Sequence, residues 1–300
     1  MATIEKKYPH PEYLVETNWL EQNLDTADLR VFDCTVNVVP NPDMELRQKI
    51  PFVYQSGRNS YQQAHIPNAG FIDIPGDLSD RSSDLPLMVP SEKQFVETMS
   101  RCGISDNARV VLYSTSESNW AARVWWMLRA FGFDNVALLN GGWRKWTKEE
   151  RPISNQGCLY KPEQFTAHPK PSAFVNKEDV LAAIGDDEIL IINALPSGIF
   201  TGSSDIAFGR KGRIADSVNV PFVSLQDPDT GGYLSSDQLR KNFDQVNVNE
   251  AKQIITYCGG GIAASNDAFT LNLLGYDNVA VYDGSMLEWG NDASLPMEMG

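Results

Sequence analysis

The chain has 300 residues, 42% apolar and 21% charged, with 25 basic and 39 acidic side chains and a net charge of −14. At roughly 100–200 residues per domain the length suggests two domains, and the composition excludes a disordered or low-complexity chain. The acidic balance argues against sequence-independent nucleic-acid binding, and no apolar run approaches the roughly 18–20 residues of a membrane helix, so neither nucleic acid nor membrane is an expected partner.

Residues 1–15 carry Lys6 and Lys7 but no apolar run after them, so no export signal is expected and a cytoplasmic location follows. A short apolar run, Leu29 to Cys34, lies near the start, and Phe71-Ile72-Asp73-Ile74-Pro75 follows it. Val110 to Tyr113 predicts a strand, followed by the polar turn Ser114 to Asn119 and a helix over Trp120 to Phe131. Gly132 stands where a helix C-cap glycine belongs, and a short apolar strand follows it. Thr147 to Pro171 is rich in Lys, Glu, Gln and Pro, and its prolines disfavour both helix and ladder, which predicts a linker.

The same order then returns. Glu188 to Asn193 matches the run Leu29 to Cys34, Ser217 to Pro221 matches Phe71 to Pro75, and Ile254 to Tyr257 matches Val110 to Tyr113. A helix is predicted from Ala263 to Leu274, with Gly275 as its C-cap glycine. Gly132-Phe133-Asp134-Asn135-Val136-Ala137 returns as Gly275-Tyr276-Asp277-Asn278-Val279-Ala280 at an offset of 143 residues, and Trp146 and Trp289 keep that offset. The chain is therefore a tandem duplication. Strand–helix–strand units at this spacing imply parallel pairing with right-handed crossovers, so the class is α/β, twice over. The predicted organisation is a non-catalytic domain over 1–150, a linker over 151–172 and a catalytic domain over 173–300.

The copies differ most after their matching strands. Copy one reads Ser114-Thr115-Ser116-Glu117-Ser118-Asn119, and copy two reads Cys258-Gly259-Gly260-Gly261-Ile262-Ala263. Both turns lie between the carboxyl end of a parallel strand and a helix N-terminus, the position where α/β sheets place ligands. Three glycines let successive N–H groups converge on one centre, and a thiol there is expected to have its pKa lowered and to act as a thiolate nucleophile. Cys34 and Cys102 read as core residues and Cys158 as incidental to the linker. The absence of any C-x-x-C pair leaves zinc sites and thioredoxin-like motifs without support. No metal and no cofactor is expected.

A second motif overlaps the turn. Gly259 to Ala264 satisfies G-x-G-x-x-A, with Asp283 ending the next strand 24 residues on, as in a dinucleotide fingerprint. Only 17 residues follow Asp283, too few for a mononucleotide-binding half, and the matching turn of copy one has no glycine.

Tyr61-Gln62-Gln63-Ala64-His65-Ile66-Pro67-Asn68-Ala69 resembles a signature of the tandem rhodanese family of sulfurtransferases, with Asn68 in place of Gly. Val279 to Trp289 resembles a second signature, with Met286 where Trp or Phe is usual, and Trp125 to Gly132 is also typical. The resemblance implies two tandem rhodanese-like domains, each a central parallel sheet flanked by helices, with the site in the cleft between them. It implies that Cys258 takes a sulfane sulfur as a persulfide, cradled by the backbone of Gly259, Gly260, Gly261, Ile262 and Ala263. The donor would be thiosulfate, 3-mercaptopyruvate or another persulfide carrier, including a protein one, and the acceptor cyanide or a thiol. Position 264 is Ala264 rather than the arginine of related phosphatases, so phosphoryl chemistry is not expected.

The departures bear on the donor. Gly259 and Gly260 stand where thiosulfate sulfurtransferases carry two cations, and Gly260 also replaces the serine of the mercaptopyruvate enzymes. Asn59 stands where their relay has an aspartate, and Leu195 and Thr201 where the family has anion-gripping arginines. His65, Arg210, Lys211 and Arg213 are the remaining candidates for binding substrate. Residues 1–152 carry 16 basic and 20 acidic side chains against 9 and 19 in residues 153–300, so the half bearing Cys258 is the more acidic. An active sulfurtransferase is the first reading, and a rhodanese-like binding or regulatory protein with little turnover is the alternative.

Overall fold

The β-branched runs of both copies become the centres of two sheets in the computed structural model, which describes residues 8–300. Part of the N-terminal segment on which the export reading rests, residues 1–7, lies outside the described residues. The strands of the first domain are β1 (Leu14–Val15), β2 (Leu29–Asp33), β3 (Val36–Pro40), β4 (Phe52–Ser56), β5 (Ala69–Phe71), β6 (Arg109–Tyr113) and β7 (Val136–Leu139). Those of the second are β8 (Phe174–Val175), β9 (Ile189–Asn193), β10 (Arg213–Ile214), β11 (Val218–Asn219), β12 (Gln253–Tyr257), β13 (Val279–Tyr282) and β14 (Met297–Glu298).

The first sheet runs β1-β7-β6-β2-β5 and the second β8-β13-β12-β9-β11, the same order strand for strand. Every pair within these two sheets is parallel. The central strands carry unbroken apolar runs because helices cover both faces, and β7 and β13 are buried along their whole length. Between the domains, residues 156–170 form no regular element, and Ser154 makes only a bridge to His65.

The two helices that follow β6 and β12 hold the halves together. They span Asn119–Ala130 and Ile262–Leu273, within a residue of the predicted limits. Gly132 and Gly275 follow them at φ 87° and 89°, the left-handed conformation that a helix-ending glycine takes without a Cβ penalty. The helices pack on one another across the domain boundary, with the Trp125 and Phe269 rings edge to face at 4.8 Å. Such helices are buried all round rather than amphipathic, hence their apolar content on every face. The antiparallel hairpin β3–β4 leaves the first sheet and reaches the second domain, where Gln48 accepts a hydrogen bond from the Gly209 amide at 3.0 Å.

Asp33, at the end of β2, shows how the copies diverge in electrostatics. Its Oδ1 accepts from the Thr35 amide at 2.8 Å, as Asn193 Oδ1 accepts from Leu195 at the matching place. Asp33 is buried and burial pushes its carboxyl up to about 6, although Thr35 and Tyr113 pull the other way. A carboxyl raised in the folded state binds its proton more tightly there, so stability is lost as pH climbs from about 4 through 6. Asp33→Asn is therefore expected to stabilise the protein by about 2–3 kcal/mol at pH 8 and by little at pH 4, measured as urea midpoints at the two pH values.

Candidate active site

β12 is the middle strand of the second sheet, and its last residue, Tyr257, is in register with Asn193 of β9. Cys258 follows at once, at the carboxyl edge of the sheet, and the chain turns through three glycines into the Ile262–Leu273 helix. Gly261 adopts φ 77°, and a Cβ on it would lie 2.6 Å from Asp283 Oδ1 and 3.0 Å from Arg123 Nη1. A Cβ on Gly259 would lie 2.4 Å from the Phe208 ring. At both positions the loop is glycine because another group lies against its backbone.

One hydroxyl holds the loop. Ser285 Oγ accepts from the Cys258 amide at 3.0 Å and from the Gly261 amide at 3.1 Å, and donates to the Tyr282 carbonyl at 2.7 Å. Ser285 is fully buried at φ 48°, so the hydroxyl is held to these three partners. Ser285→Ala leaves two buried amides without an acceptor and is expected to cost about 1–3 kcal/mol, read from chemical denaturation.

The sulfur has a polar cradle in an apolar enclosure. The amides of Ala264, Gly260 and Ala263 face Cys258 and favour its thiolate, but the residue is only 2% exposed. Burial outweighs the amides and pushes the thiol above its ordinary value, and the Asp267 carboxyl adds to the rise. This corrects the expectation of a lowered thiol. A helix N-terminus favours the anion, but desolvation by Phe208 and by the Tyr54 side of the first domain disfavours it more. Alkylation of Cys258 is expected to rise with pH and to reach half its maximal rate above the roughly 8.5 of a free thiol. A mass-resolved rate profile from pH 6 to 11 checks this, and a midpoint below 8 would show that the amides dominate.

The structure brings together some of the expected residues and not others. Gly260 and Ala263 present amides to the sulfur, and Ala264 joins them. Gly259 gives its carbonyl to the Leu287 amide at 2.8 Å, Gly261 donates to Ser285, and Ile262 begins the helix. His65 is fully buried, with Nδ1 2.6 Å from the Tyr61 carbonyl and Nε2 3.0 Å from that of Gln156, and it ties the first domain to the linker. Arg210 donates to the carbonyls of Trp289, Gly290, Asp292 and Leu295, closing the end of the Ser285–Trp289 helix. Arg213 donates to Gly300 and Glu298 and stacks on Phe200. Lys211 lines a cleft of about 540 Å³ between the domains with Met44, Arg47, Phe52 and Ile206, and lies 3.8 Å from Asp205. All four cysteines are free.

Asp283 is not available to a ribose. Its carboxylate meets Arg123 at 2.6 Å and accepts from the Val89 amide at 2.7 Å, which removes the basis of the dinucleotide reading. Sequence reasoning also missed Arg123, Ser285, Phe208, Tyr54 and Asp267 as neighbours of the loop. Two of them carry a signal in the sequence, since Arg123 and Asp267 are charges inside helices that are otherwise mostly apolar or uncharged. Tyr54 and Leu87 line a second cleft of about 420 Å³ with Phe52, Arg81 and Leu85.

Residues 16–149 and 176–292 both match the Rhodanese-like domain. The chain is 32% identical over 289 residues to 3-mercaptopyruvate sulfurtransferase of Escherichia coli (strain K12), covering 95% of this chain and 98% of that protein. It is 33% identical over 285 residues to thiosulfate sulfurtransferase of Rattus norvegicus, covering 92% and 91%. Among solved structures, SseA from Escherichia coli, described as a 3-mercaptopyruvate sulfotransferase, superposes with a TM-score of 0.77 at 30% identity, covering 91% of this chain and 98% of that one.

Proposed function

The chain belongs to the family of rhodanese-like domains, and from that premise we propose that it moves a sulfane sulfur through a persulfide on Cys258 to a thiol or cyanide acceptor. The observation that carries this reading is the cradle of Gly260, Ala263 and Ala264 amides around a sole cysteine at the carboxyl edge of the sheet. Cys258 thiolate attacks the outer sulfur of the donor, a new S–S bond forms, and the donor's bond to that sulfur breaks with its electron pair. Sulfite leaves from thiosulfate, a thiolate from a persulfide, and the enolate of pyruvate from 3-mercaptopyruvate, which then takes a proton. The acceptor attacks the terminal sulfur of the persulfide and restores Cys258 thiolate. The N–H groups that face the sulfur stabilise the anionic persulfide.

A persulfide donor, small or protein-borne, fits this site better than a small oxyanion. Leu195 and Thr201 replace the family's arginines, and the loop glycines bear no cation. The experiment is incubation with thiosulfate, 3-mercaptopyruvate or glutathione persulfide, followed by intact-mass and peptide mapping. A gain of one sulfur on Cys258, largest with the persulfide, is expected. No gain with any donor overturns the reading.

The burial of Cys258 and its raised thiol favour one alternative, a binding or regulatory protein that turns over little. Under that reading Cys258 stays unreactive in both the donor panel and alkylation. Among the described residues no helix is long and apolar enough to cross a membrane.

A further inference from the structure

The first domain lacks a nucleophile, since Ser114 stands where the second has Cys258, and its Oγ donates to the Glu117 carbonyl at 2.5 Å. What the first domain does contribute is a buried cation. Arg123 is 0% exposed and projects from the Asn119–Ala130 helix toward Asp283 of the second domain, Nη2 to Oδ1 at 2.6 Å. The same Nη2 donates to the Leu87 carbonyl at 2.9 Å, and Asp283 Oδ2 accepts from the Val89 amide at 2.7 Å. One segment of the first domain, Leu87 to Val89, thus grips both members of the pair.

The pair touches the loop in two ways. Directly, Asp283 Oδ1 and Arg123 Nη1 occupy the space that a side chain on Gly261 would need. Through the chain, Asp283 lies two residues before Ser285, whose hydroxyl receives the Cys258 and Gly261 amides. Stability alone is a poor account of such a pair. Desolvating two charges offsets most of their attraction, and apolar replacements of buried pairs are often neutral or stabilising. Arg123 Nε and Nη1 make no hydrogen bond, which adds to that cost.

We propose that Arg123 of the first domain is a positioning residue for the Cys258 loop of the second, acting through Asp283 to fix Gly261 and Ser285 and so the amides that face the sulfur. The active loop is then complete only when the two domains are docked. The proposal rests on the sulfur-transfer reading for one of its three readouts and is independent of it for the other two.

The test is the double variant Arg123→Met/Asp283→Asn, which removes both charges together and keeps an acceptor for the Val89 amide. Sulfur transfer is expected to fall about 10–100-fold, the scale on which small misplacements of reacting groups act. Iodoacetamide labelling at pH 7 is expected to rise several-fold at Cys258 while Cys34, fully buried in the first domain, stays protected. Hydrogen exchange should show faster exchange confined to residues 258–264 and 283–287. Unchanged labelling of Cys258 with unchanged exchange overturns the proposal, and so does a rise shared by Cys34, which would mark the pair as a global stability element. If the wild-type protein forms no persulfide with any donor, the transfer reading fails, yet selective exposure of Cys258 still decides the role of Arg123.

Discussion

Cys258→Ser is expected to lower sulfur transfer by more than about 10³-fold, because the step has no other nucleophile to fall back on. Serine keeps the shape of the side chain and its place beneath the Gly260, Ala263 and Ala264 amides, so the fold and the unfolding midpoint should be close to those of the parent. What changes is chemistry. A hydroxyl at this position ionises too weakly to attack a sulfane sulfur, and an O–S bond would not be the persulfide that an acceptor thiol attacks. The other three cysteines cannot substitute. Cys34 is fully buried in the first domain with its thiol pushed well up by burial, and Cys102 and Cys158 lie outside the cradle. The measurement is the initial rate of transfer from glutathione persulfide to cyanide, with the parent protein alongside. A residual rate within tenfold of the parent would assign the chemistry elsewhere.

Arg123→Met alone is expected to destabilise the protein by about 3–5 kcal/mol, far more than the double variant, because it strands the Asp283 carboxylate in the interior. Asp283 keeps the Val89 amide but loses its counter-ion, and at 6% exposure it cannot recover the loss from water. The contrast is Arg101→Met. Arg101 pairs with Asp77 at 2.9 Å but is 57% exposed, and its loss should cost no more than about 1 kcal/mol. Urea unfolding of the two variants at pH 8 compares them directly. A deficit for Arg123→Met as small as for Arg101→Met would mean that water reaches the pair.

Parts of the site were legible in the sequence because they depend on neighbours along the chain. A strand, three glycines and a helix within Ile254 to Leu274 place Cys258 at a helix N-terminus wherever the domain sits. Gly132 and Gly275 mark helix ends by their own backbone requirement. The roles of the cations were not legible. Arg210, Lys211 and Arg213 are consecutive or nearly so, yet Arg210 caps a helix, Arg213 holds the C-terminal strand and Lys211 lines the cleft between the domains. Composition treats the three alike, and only the path of the backbone separates them.

The duplication, the α/β class of both halves and the place of Cys258 at the head of a helix follow from the sequence itself, since each rests on periodicity, spacing or a turn that the local chain dictates. The direction in which the Cys258 thiol is shifted and the anchoring of its loop were decided by tertiary structure. Residues 160 apart, Arg123 and Asp283, meet only when the two helices pack across the domain boundary. Tertiary burial also removes water from Cys258, and desolvation, which no local motif encodes, reverses the effect the loop's own amides would have on the thiol.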